Sequence, residues 1–563
     1  MSKKARKKGS PASRAQQQQA AAQRRSILVT TSRERGIQQP VTTAPDHIPA
    51  RPDRVVHDYL DVSVVRIQEW LSRTPDLKFR RGASVLLTEA TARDSGPSLP
   101  AGLAWNEEAG SLDAVVSLIV DDTIGPADVA ACLLEGARCV ARQIRDKMPY
   151  CHIQAVTGQG ESYALAYPGM IQARREGAFL VDAPPTPPEV ILAKPCDQCR
   201  SAAATYRDIV ILTSEPNRDL CRDCHERFQA TGGTRGSGLG RSPLPERRMK
   251  AALAEAGLTV AGFSDDFASM AEAGRRDRDD AATQLALIFA DGNRVGAFLS
   301  AAAKQAGPGP GPDKASIVPV LTGATLGALA DAVIDRFPGW SHPPVLANLA
   351  GGDDLLISVP APDAWLFVRT LLTSFGRRLG VATKGWPEQV RRRVPSLSAG
   401  LVFHHKMDPF SDLVRLASDQ LHRAKQAGQG QQATVSFLDL TADGDQPPPD
   451  RKVLTVDDLD LYAEQLRQIE AIPAARRATL IALHRQKDMS EFTRRLADFD
   501  NGPLWEVAAG RPGAGAADAR HGLVDHPGRA DDLRRLLDMA RHWHAEARPE
   551  DHLEVRAGKA ATR

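Results

Sequence analysis

The spacing of apolar positions predicts an α/β unit in the first third of the chain. Between about residues 55 and 168, short apolar runs typical of strands alternate with segments in which apolar residues recur every three or four positions. This alternation favours a layered α/β domain. The runs are, in order, VVHDYLDVSVV, RIQEWLSRT, ASVLLTEATA, AVVSLIV, PADVAACLLEGARCVARQIRDKM and HIQAVT.

A second α/β unit begins at the strand QLALIFADG and ends at ATVSFLDL. Its pattern predicts the order β-α-α-β-β-α-β-α-β, which is a ferredoxin-like palm with extra elements. Beyond about residue 450 the apolar spacing is helical throughout, as in LDLYAEQLRQIEA and ADDLRRLLDMARHWH. We therefore expect a helical C-terminal domain.

Charge sets the N-terminal segment apart from the rest of the chain. Residues 1–54 contain twelve Lys and Arg and three acidic residues, a net charge of +9, whereas the whole chain carries a formal charge of +3. A basic, Gln-rich segment of this kind buries too little apolar surface to fold alone. The composition favours a solubilising leader, and the alternative is an arm that binds nucleic acid through its phosphates.

The sequence predicts neither a secretory signal nor a membrane span. The first 25 residues are polar, and we see no apolar run that approaches the ~20 residues needed to cross a bilayer. Four of the seven cysteines form CxxC pairs, which suits a reducing compartment better than a disulfide framework. We expect a cytoplasmic protein with no membrane partner.

The two CxxC pairs are the strongest local signal. Cys196 and Cys199 form the first pair and Cys221 and Cys224 the second, with twenty-one residues between the pairs. Four thiolates at this spacing suit a closed tetrahedral Zn²⁺ site with a structural role. A redox CxxC would need a βαβ context that this segment lacks. His225 abuts the last cysteine, and we expect it to be a bystander.

The segment VLANLAGGDDLLISVP places adjacent carboxylates at the tip of an apolar hairpin. Gly351 and Gly352 suit a tight turn that requires positive φ, and Asp353 and Asp354 follow at the start of the next strand. Asp291 ends the first strand of the same unit, which neighbours the hairpin in this topology. Three close carboxylates repel one another unless a cation binds, and Mg²⁺ prefers oxygen ligands. The pattern favours a metal site over a solvated turn.

These motifs resemble two related families. The resemblance is carried by GGDD on a palm hairpin, by the segment FADGNRVGAF and by the later SLSAGLVFHHKMDPFSDLVRLASDQLHRAKQAG. One family is the diguanylate cyclases, and the closer match is the large polymerase/cyclase subunit of type III CRISPR effector complexes. That family pairs two palm domains, places a four-cysteine zinc site between them and ends in a helical domain. The chain shows these four parts in that order over roughly residues 55–563.

The resemblance implies a reaction at the hairpin. ATP molecules would be joined 3′ to 5′ into a cyclic oligoadenylate second messenger, with release of pyrophosphate and a two-metal mechanism that uses Mg²⁺ or Mn²⁺. Asp291 and Asp354 would be the principal metal ligands, Asp353 would assist, and the carbonyl of Gly292 would offer a further oxygen. Guide RNA, target RNA and other effector subunits would be partners, the subunits through the helical C-terminal domain.

The resemblance also assigns nucleotide contacts. Gly351 and Gly352 would let the phosphates or ribose approach the backbone, and Lys425 would contact a triphosphate as a point charge. From its position alone, Lys425 would be an exposed lysine near a helix C-terminus, where the helix dipole favours it.

The chain departs from the family pattern at several positions. Asn293 stands where the family often has a second acid. The first palm contains Asp61 but has NEEAGSLDAVVSLIV in place of GGDD, so we expect it to be degenerate and to help bind a second nucleotide. His57 and Asp58 resemble the HD dipeptide of metal-dependent phosphohydrolases, but they lie at a predicted strand start. We therefore expect no HD nuclease domain.

Two alternatives remain open at this point. A catalytically silent scaffold that binds RNA would agree with Asn293 in place of an acid, although the intact Asp291, Asp353 and Asp354 argue against it. A stand-alone GGDD nucleotide cyclase outside any CRISPR complex would use the same carboxylates.

We therefore expect an α/β (α+β) protein with two ferredoxin-like palm domains, a four-cysteine zinc insert and a helical C-terminal domain. The predicted parts are a disordered basic tail (1–53), a degenerate first palm (54–183), a zinc-binding linker (184–245), a helical linker (246–283), a catalytic second palm (284–441) and the helical domain (450–563).

Overall fold

The fold is described from a computed structural model that covers most of the chain. It describes residues 56–544 apart from 75, 111–113, 186–193, 212–215, 234–242, 265, 275–282, 305–313, 450, 471, 499–501, 511–512 and 527. The basic tail predicted for residues 1–53 lies outside the described residues.

The first α/β unit is built on a five-stranded antiparallel sheet. Its elements are β1 (His57–Val65), α1 (Ile67–Leu71), α2 (Leu77–Thr91), β2 (Leu103–Trp105), β3 (Val115–Val120), α3 (Val129–Lys147), β4 (His152–Gly160), α4 (Tyr163–Glu176) and β5 (Val181–Ala183). The strand order is β2-β3-β1-β4-β5. Leu60 and Val62 of β1 pack in a core with α3, and Tyr59 packs with α4 on the other face. Burial on both faces explains why β1 is apolar throughout its centre.

The chain continues into a small insert and two helices. These are β6 (Tyr206–Ile209), β7 (Arg218–Leu220), α5 (Arg222–Ala230), α6 (Leu244–Glu255) and α7 (Phe267–Ala273). α5 lies so close to α2 that a Cβ on Gly82 would be 1.8 Å from the carbonyl oxygen of Arg227. The Arg227 guanidinium forms a fully buried ion pair with Asp223 at 3.0 Å and lies 4.2 Å from the ring centroid of Trp70. The insert is thereby fixed to the first unit.

The second α/β unit has a six-stranded sheet. Its elements are β8 (Gln284–Gly292), α8 (Val295–Lys304), α9 (Lys314–Arg336), β9 (Leu346–Gly351), β10 (Asp354–Pro360), α10 (Ala364–Ala382), α11 (Glu388–Arg391), β11 (Leu397–His405), α12 (Phe410–Ala427), β12 (Thr434–Asp439), α13 (Leu440–Asp443) and β13 (Leu454–Thr455). The strand order is β13-β12-β11-β8-β10-β9. Ala286 and Ile288 of β8 face a core with α9 and α10, and Leu287 faces α12.

One helix of this unit corrects a sequence expectation. Ile317–Arg336, within α9, is long and apolar enough to cross a membrane by length and composition. The expectation that no run approached this length was therefore wrong. Half of its apolar window is buried, and Ala328, Leu329 and Val333 are fully buried in the core of the palm. Packing against α10 and the sheet explains the apolar composition of this helix.

The C-terminal region is helical, as the apolar spacing predicted. Its helices are α14 (Val456–Glu470), α15 (Ala474–Arg485), α16 (Met489–Asp498), α17 (Gly502–Ala509), α18 (Ala516–Asp525) and α19 (Gly528–Ala540). Leu466 and Leu533 belong to the same apolar core as α10. The ring of His542 stacks on Phe403 of β11 at 4.0 Å, and its Nε2 lies 2.9 Å from a carboxylate oxygen of Asp439. The predicted mixed α/β fold class is confirmed.

Candidate active site and zinc site

The GGDD segment contains the two-residue turn between β9, which ends at Gly351, and β10, which begins at Asp354. Gly352 has φ +60°, and no heavy atom lies within 4 Å of the position that its Cβ would take. Gly351 is the last residue of β9 and pairs with Asp354, the first residue of β10. The expectation that both glycines need positive φ is therefore wrong for Gly351. The loop consists of Gly352 and Asp353, so Gly351 keeps the backbone conformation of a strand.

The two carboxylates of the turn are half-buried and interact. Burial raises the pKa of Asp353 to about 6, and the nearby charge of Asp354 contributes further. Burial also raises the pKa of Asp354 to about 6. A Cβ on Gly292 would lie 2.6 Å from Oδ2 of Asp353, so only glycine lets this carboxylate lie against the end of β8.

Asp291 lies at the end of β8, beside the hairpin. Leu355 of β10 pairs with Ala290, so Asp354 and Asp291 are the next residues along the two strands. The ammonium of Lys425, on α12, forms an ion pair with Asp291 and donates a hydrogen bond to the carbonyl of Gly292 at 2.9 Å. The carboxylate of Asp291 and the carbonyl oxygen of Gly292, both of which the resemblance assigned to a metal ion, therefore contact the same positively charged atom, Nζ of Lys425.

Lys425 is half-buried, and burial lowers its pKa. The alternative of an exposed lysine at a helix end is therefore wrong. Over the described part of the chain, Asp291, Asp353 and Asp354 do not form a group whose ligand atoms all lie within 4.8 Å of one another. Carboxylates and a backbone carbonyl are nevertheless the hard oxygen donors that Mg²⁺ and Mn²⁺ prefer. The donor set fits either ion.

The structure gives Asn293 a positioning role that the sequence did not reveal. Its buried amide donates to the hydroxyls of Ser396 at 2.8 Å and Ser398 at 2.9 Å, and to the carbonyl of Gln432 at 3.0 Å. A carboxylate could donate none of these bonds. Asn293 therefore fixes the segment after β8 against β11 and β12, next to Asp291.

Arg248 is a further residue that sequence reasoning missed. Its guanidinium donates to the carbonyl of Ala350 at 3.1 Å, one residue before the GGDD segment. Arg248 belongs to α6, 102 residues earlier in the chain, and no local motif marks it. Only the packing of α6 against β9 brings this positive charge to the hairpin.

In the first palm, Asp61 is buried in the sheet. It accepts a hydrogen bond from the hydroxyl of Tyr163 at 2.8 Å and lies 3.8 Å from the guanidinium of Arg174. His57 and Asp58 lie at the start of β1, as expected, where Asp58 accepts a hydrogen bond from Gln159 at 2.6 Å. The contacts with Tyr163 and Arg174 give Asp61 a structural role.

We therefore expect Asp61→Ala to lower stability by about 1–3 kcal/mol, because the buried hydroxyl of Tyr163 loses its acceptor. Chemical denaturation would measure the loss, and Asp122→Ala, at an exposed position, is the control. Unchanged stability together with a complete loss of synthesis would instead indicate a metal ligand in the first palm.

The four cysteines converge as predicted. All four sulfurs lie within 4.8 Å of one another, and the sulfurs of Cys199 and Cys221 are 3.8 Å apart. Tetrahedral zinc with Zn–S bonds of ~2.3 Å requires sulfurs about 3.8 Å apart. Hydrogen bonds from the neighbouring thiols, with that of Cys196 first, lower the pKa of Cys199. Among the described residues the cluster consists of the four cysteines without His225, whose ring stacks on Tyr206 at 3.8 Å.

The sheet order, the hairpin turn and the carboxylates at its tip define a palm domain. Residues 284–434 match the family model described as Cas10/Cmr2, second palm domain. This segment is therefore similar to the second palm domain of Cas10/Cmr2 proteins, which confirms the resemblance found in the sequence. No curated protein matches the chain.

Solved structures of Csm1–Csm4 assemblies are similar over most of the chain. The cassette in complex with cA4 is 14% identical with a TM-score of 0.47, and the match covers 86% of this chain and 70% of that chain. The apo cassette is 14% identical with a TM-score of 0.46, and the match covers 89% of this chain and 72% of that chain. The Csm1–Csm4 subcomplex of the type III-A CRISPR-Csm interference complex is 13% identical with a TM-score of 0.45, and the match covers 86% of this chain and 70% of that chain.

Proposed function

We propose that the second palm domain is a nucleotidyltransferase that converts ATP to a cyclic oligoadenylate. The observation that carries this proposal is the convergence of the Asp291 carboxylate and the Gly292 carbonyl on one cationic position beside the Asp353–Asp354 turn. The match of the same segment to the Cas10/Cmr2 second palm supports it. ATP as the substrate follows from the resemblance.

In this reaction a ribose 3′-hydroxyl oxygen forms a bond to the α-phosphorus of a second ATP. The bond between that phosphorus and the pyrophosphate breaks, and the hydroxyl proton passes to solvent. Asp291, Asp353, Asp354 and the carbonyl of Gly292 would hold Mg²⁺ or Mn²⁺. Such ions, when bound, lower the pKa of the hydroxyl and stabilise the pyrophosphate that leaves. Lys425 would then contact the triphosphate.

The backbone of the palm supplies the positioning. β8 and β10 hold the carboxylates at one end of the sheet, and the open space above Gly352 leaves room for a nucleotide. No side chain has to form a covalent intermediate, since phosphoryl transfer depends on positioning and electrostatics. The first palm would contribute a wall of the pocket for a second ATP.

We further propose that the chain is the large subunit of a type III CRISPR-like effector in the cytoplasm. Guide RNA, target RNA and other subunits would be its partners, and α14–α19 would hold the subunits. His57 and Asp58 would provide no nuclease activity.

Product analysis tests this function. The chain is incubated with ATP and Mg²⁺ or Mn²⁺, alone and with partner subunits, guide RNA and target RNA, and the products are resolved by mass spectrometry. The proposal expects cyclic oligoadenylate and pyrophosphate from the assembled sample. Product from the isolated chain without RNA would favour a stand-alone cyclase. An assembly that binds RNA but makes no product would favour the silent scaffold.

A further inference from the structure

The helical C-terminal domain contains a cleft of about 1320 Å³. Its walls come from Pro448, Pro449 and Arg451, together with the end of α15, the start of α16, α18 and α19. Pockets for small molecules typically measure roughly 300–1,000 Å³. The cleft is therefore large enough for an extended ligand that contacts several helices at once.

Positive charge is concentrated in this cleft. Residues 451–544 contain fifteen Lys and Arg and fifteen Asp and Glu, so the domain as a whole is neutral. Seven of these cations line the cleft, but only two of the acids do. The basic residues are Arg451, Arg485, Lys487, Arg494, Arg520, Arg534 and Arg535, and the acidic ones are Asp531 and Asp538. Carboxylates just outside the lining compensate two of these cations, since Arg494 pairs with Glu491 and Asp498 and Arg535 pairs with Asp532. The excess positive charge of the cleft therefore rests on the other five.

The floor of the cleft has more guanidinium groups than carboxylates to neutralise them. Arg451 and Arg534 share Asp538, at 3.1 and 2.8 Å. Arg451 and Arg485 share Asp443, with Arg485 at 3.0 Å. The side chains of Arg451 and Arg534 are only 5% and 9% exposed. An excess positive charge in such a desolvated position attracts an anion more strongly than one on an open surface.

The rim carries cations that are free to bind a ligand. Lys487 and Arg520 are exposed, and within the described residues neither side chain forms a hydrogen bond or an ion pair. Among the described residues that line the cleft there is no Phe, Tyr or Trp, so these residues offer no platform on which bases could stack. The cleft is therefore built to recognise phosphate charge rather than the identity of bases.

We propose that this cleft binds a single nucleic-acid strand through consecutive phosphates, without base recognition. Cations spread over several helices match a row of phosphates better than one compact polyphosphate. An acidic protein segment is the competing occupant, and competition with polyglutamate at matched charge separates it from a nucleic-acid strand. The proposal concerns a surface outside the palm and does not depend on the cyclase activity.

Fluorescence anisotropy with the full chain tests the proposal, with labelled twelve-nucleotide oligo-U RNA and oligo-dT DNA as probes. Lys487→Glu with Arg520→Glu should weaken the binding of both probes at least tenfold. The matched control is Arg138→Glu with Arg142→Glu on α3, two exposed arginines four residues apart. It should bind as the wild type does. Zinc content and circular dichroism check that both variants are folded.

Salt dependence and cross-linking identify the mode of binding. Lys487→Ala with Arg520→Ala should reduce the slope of log affinity against log salt by about 1.4, since each phosphate contact on a single strand contributes ~0.7. RNA that contains 4-thiouridine should cross-link to peptides from α15, α16 or α18. The proposal would be overturned if the control variant lost as much binding as the test variant, or if the cross-links were confined to residues 1–54. It would also be overturned if tripolyphosphate or polyglutamate at matched charge competed with the probe as well as nucleic acid does.

Discussion

Replacing Asp353 and Asp354 together by asparagine should abolish synthesis from ATP and leave the fold and the zinc in place. Asparagine keeps the volume of the side chains and suits the turn, so β9 and β10 should still pair. The change removes two negative charges from the proposed metal ligands. Because electrostatic stabilisation dominates phosphoryl transfer, we expect the rate to fall by at least ~10³-fold. Mass spectrometry of the products of assembled wild type and variant would measure the loss.

The same substitution should have the opposite effect on stability in metal-free buffer. Asp353 and Asp354 have pKa values raised to about 6, whereas an unfolded aspartate titrates at ~3.9. A raised pKa means that the ionised carboxylates oppose folding, so the penalty is fully present above pH ~6 and absent below pH ~4. The variant should therefore melt at a higher temperature than the wild type at pH 7.5 with EDTA. At pH 4 the two should melt together.

The chain provides a matched control for this experiment. Asp121 and Asp122 are another adjacent pair of aspartates, at an exposed turn after β3 of the first palm. Asp121 accepts a hydrogen bond from the backbone N–H of Thr123 at 2.9 Å, which asparagine can also accept. Asp121→Asn with Asp122→Asn should retain synthesis. Full activity in the Asp353, Asp354 variant would contradict the proposed role of the turn.

Apolar periodicity predicted most of the elements but not all. The long, strongly patterned segments of both palms formed as expected, because burial on one or both faces leaves a clear signal in the sequence. β2 and β5 were missed, since strands of three residues are too short to show alternation. α4 was missed because the prediction ended the unit near Pro168. The helix continues through this proline, although a proline inside a helix removes one backbone hydrogen bond.

The candidate site was predictable only where its residues are contiguous or belong to a known motif. The GGDD turn and the CxxC pairs are local signals, and the structure brings each set together. The contact of Lys425 with Asp291 spans 134 residues, and that of Arg248 with Ala350 spans 102. Long-range polar contacts of this kind depend on how helices pack on the sheet. The role of Asn293 could not be predicted for the same reason, since its three acceptors come from two other parts of the chain.

The second prediction concerns the zinc site as a support for the first palm. Cys221 directly precedes α5, and this helix carries three buried residues into the palm. Asp223 and Arg227 pair against Trp70, and Phe228 stacks on Phe79 at 5.9 Å. Two different interactions would thus hold α5: a zinc ion bound by the four cysteines would fix its start, and the buried ion pair fixes its body.

Cys221→Ser should abolish zinc binding and release the start of α5 from the insert. Structural zinc sites contribute ~10–16 kcal/mol in isolated zinc-finger peptides, because unfolded chains lack the preformed site. Loss of even part of this should lower the melting temperature by on the order of 10 °C. The Asp223–Arg227 pair would then be more exposed to water, so we expect the first palm to lose stability while the Asp353–Asp354 turn stays intact.

Elemental analysis and thermal unfolding together test this prediction. Wild type should contain about one zinc per chain, bound by sulfur, and Cys221→Ser none. Cys139→Ser is the matched control, because Cys139 lies on α3 of the same palm and accepts a hydrogen bond only from Gln143, at 3.4 Å, among the contacts that the structure describes. It should keep both the zinc and the melting temperature. A wild type that is stable without zinc, or a Cys221→Ser variant that melts with it, would contradict a supporting role, because the buried ion pair alone would then hold α5.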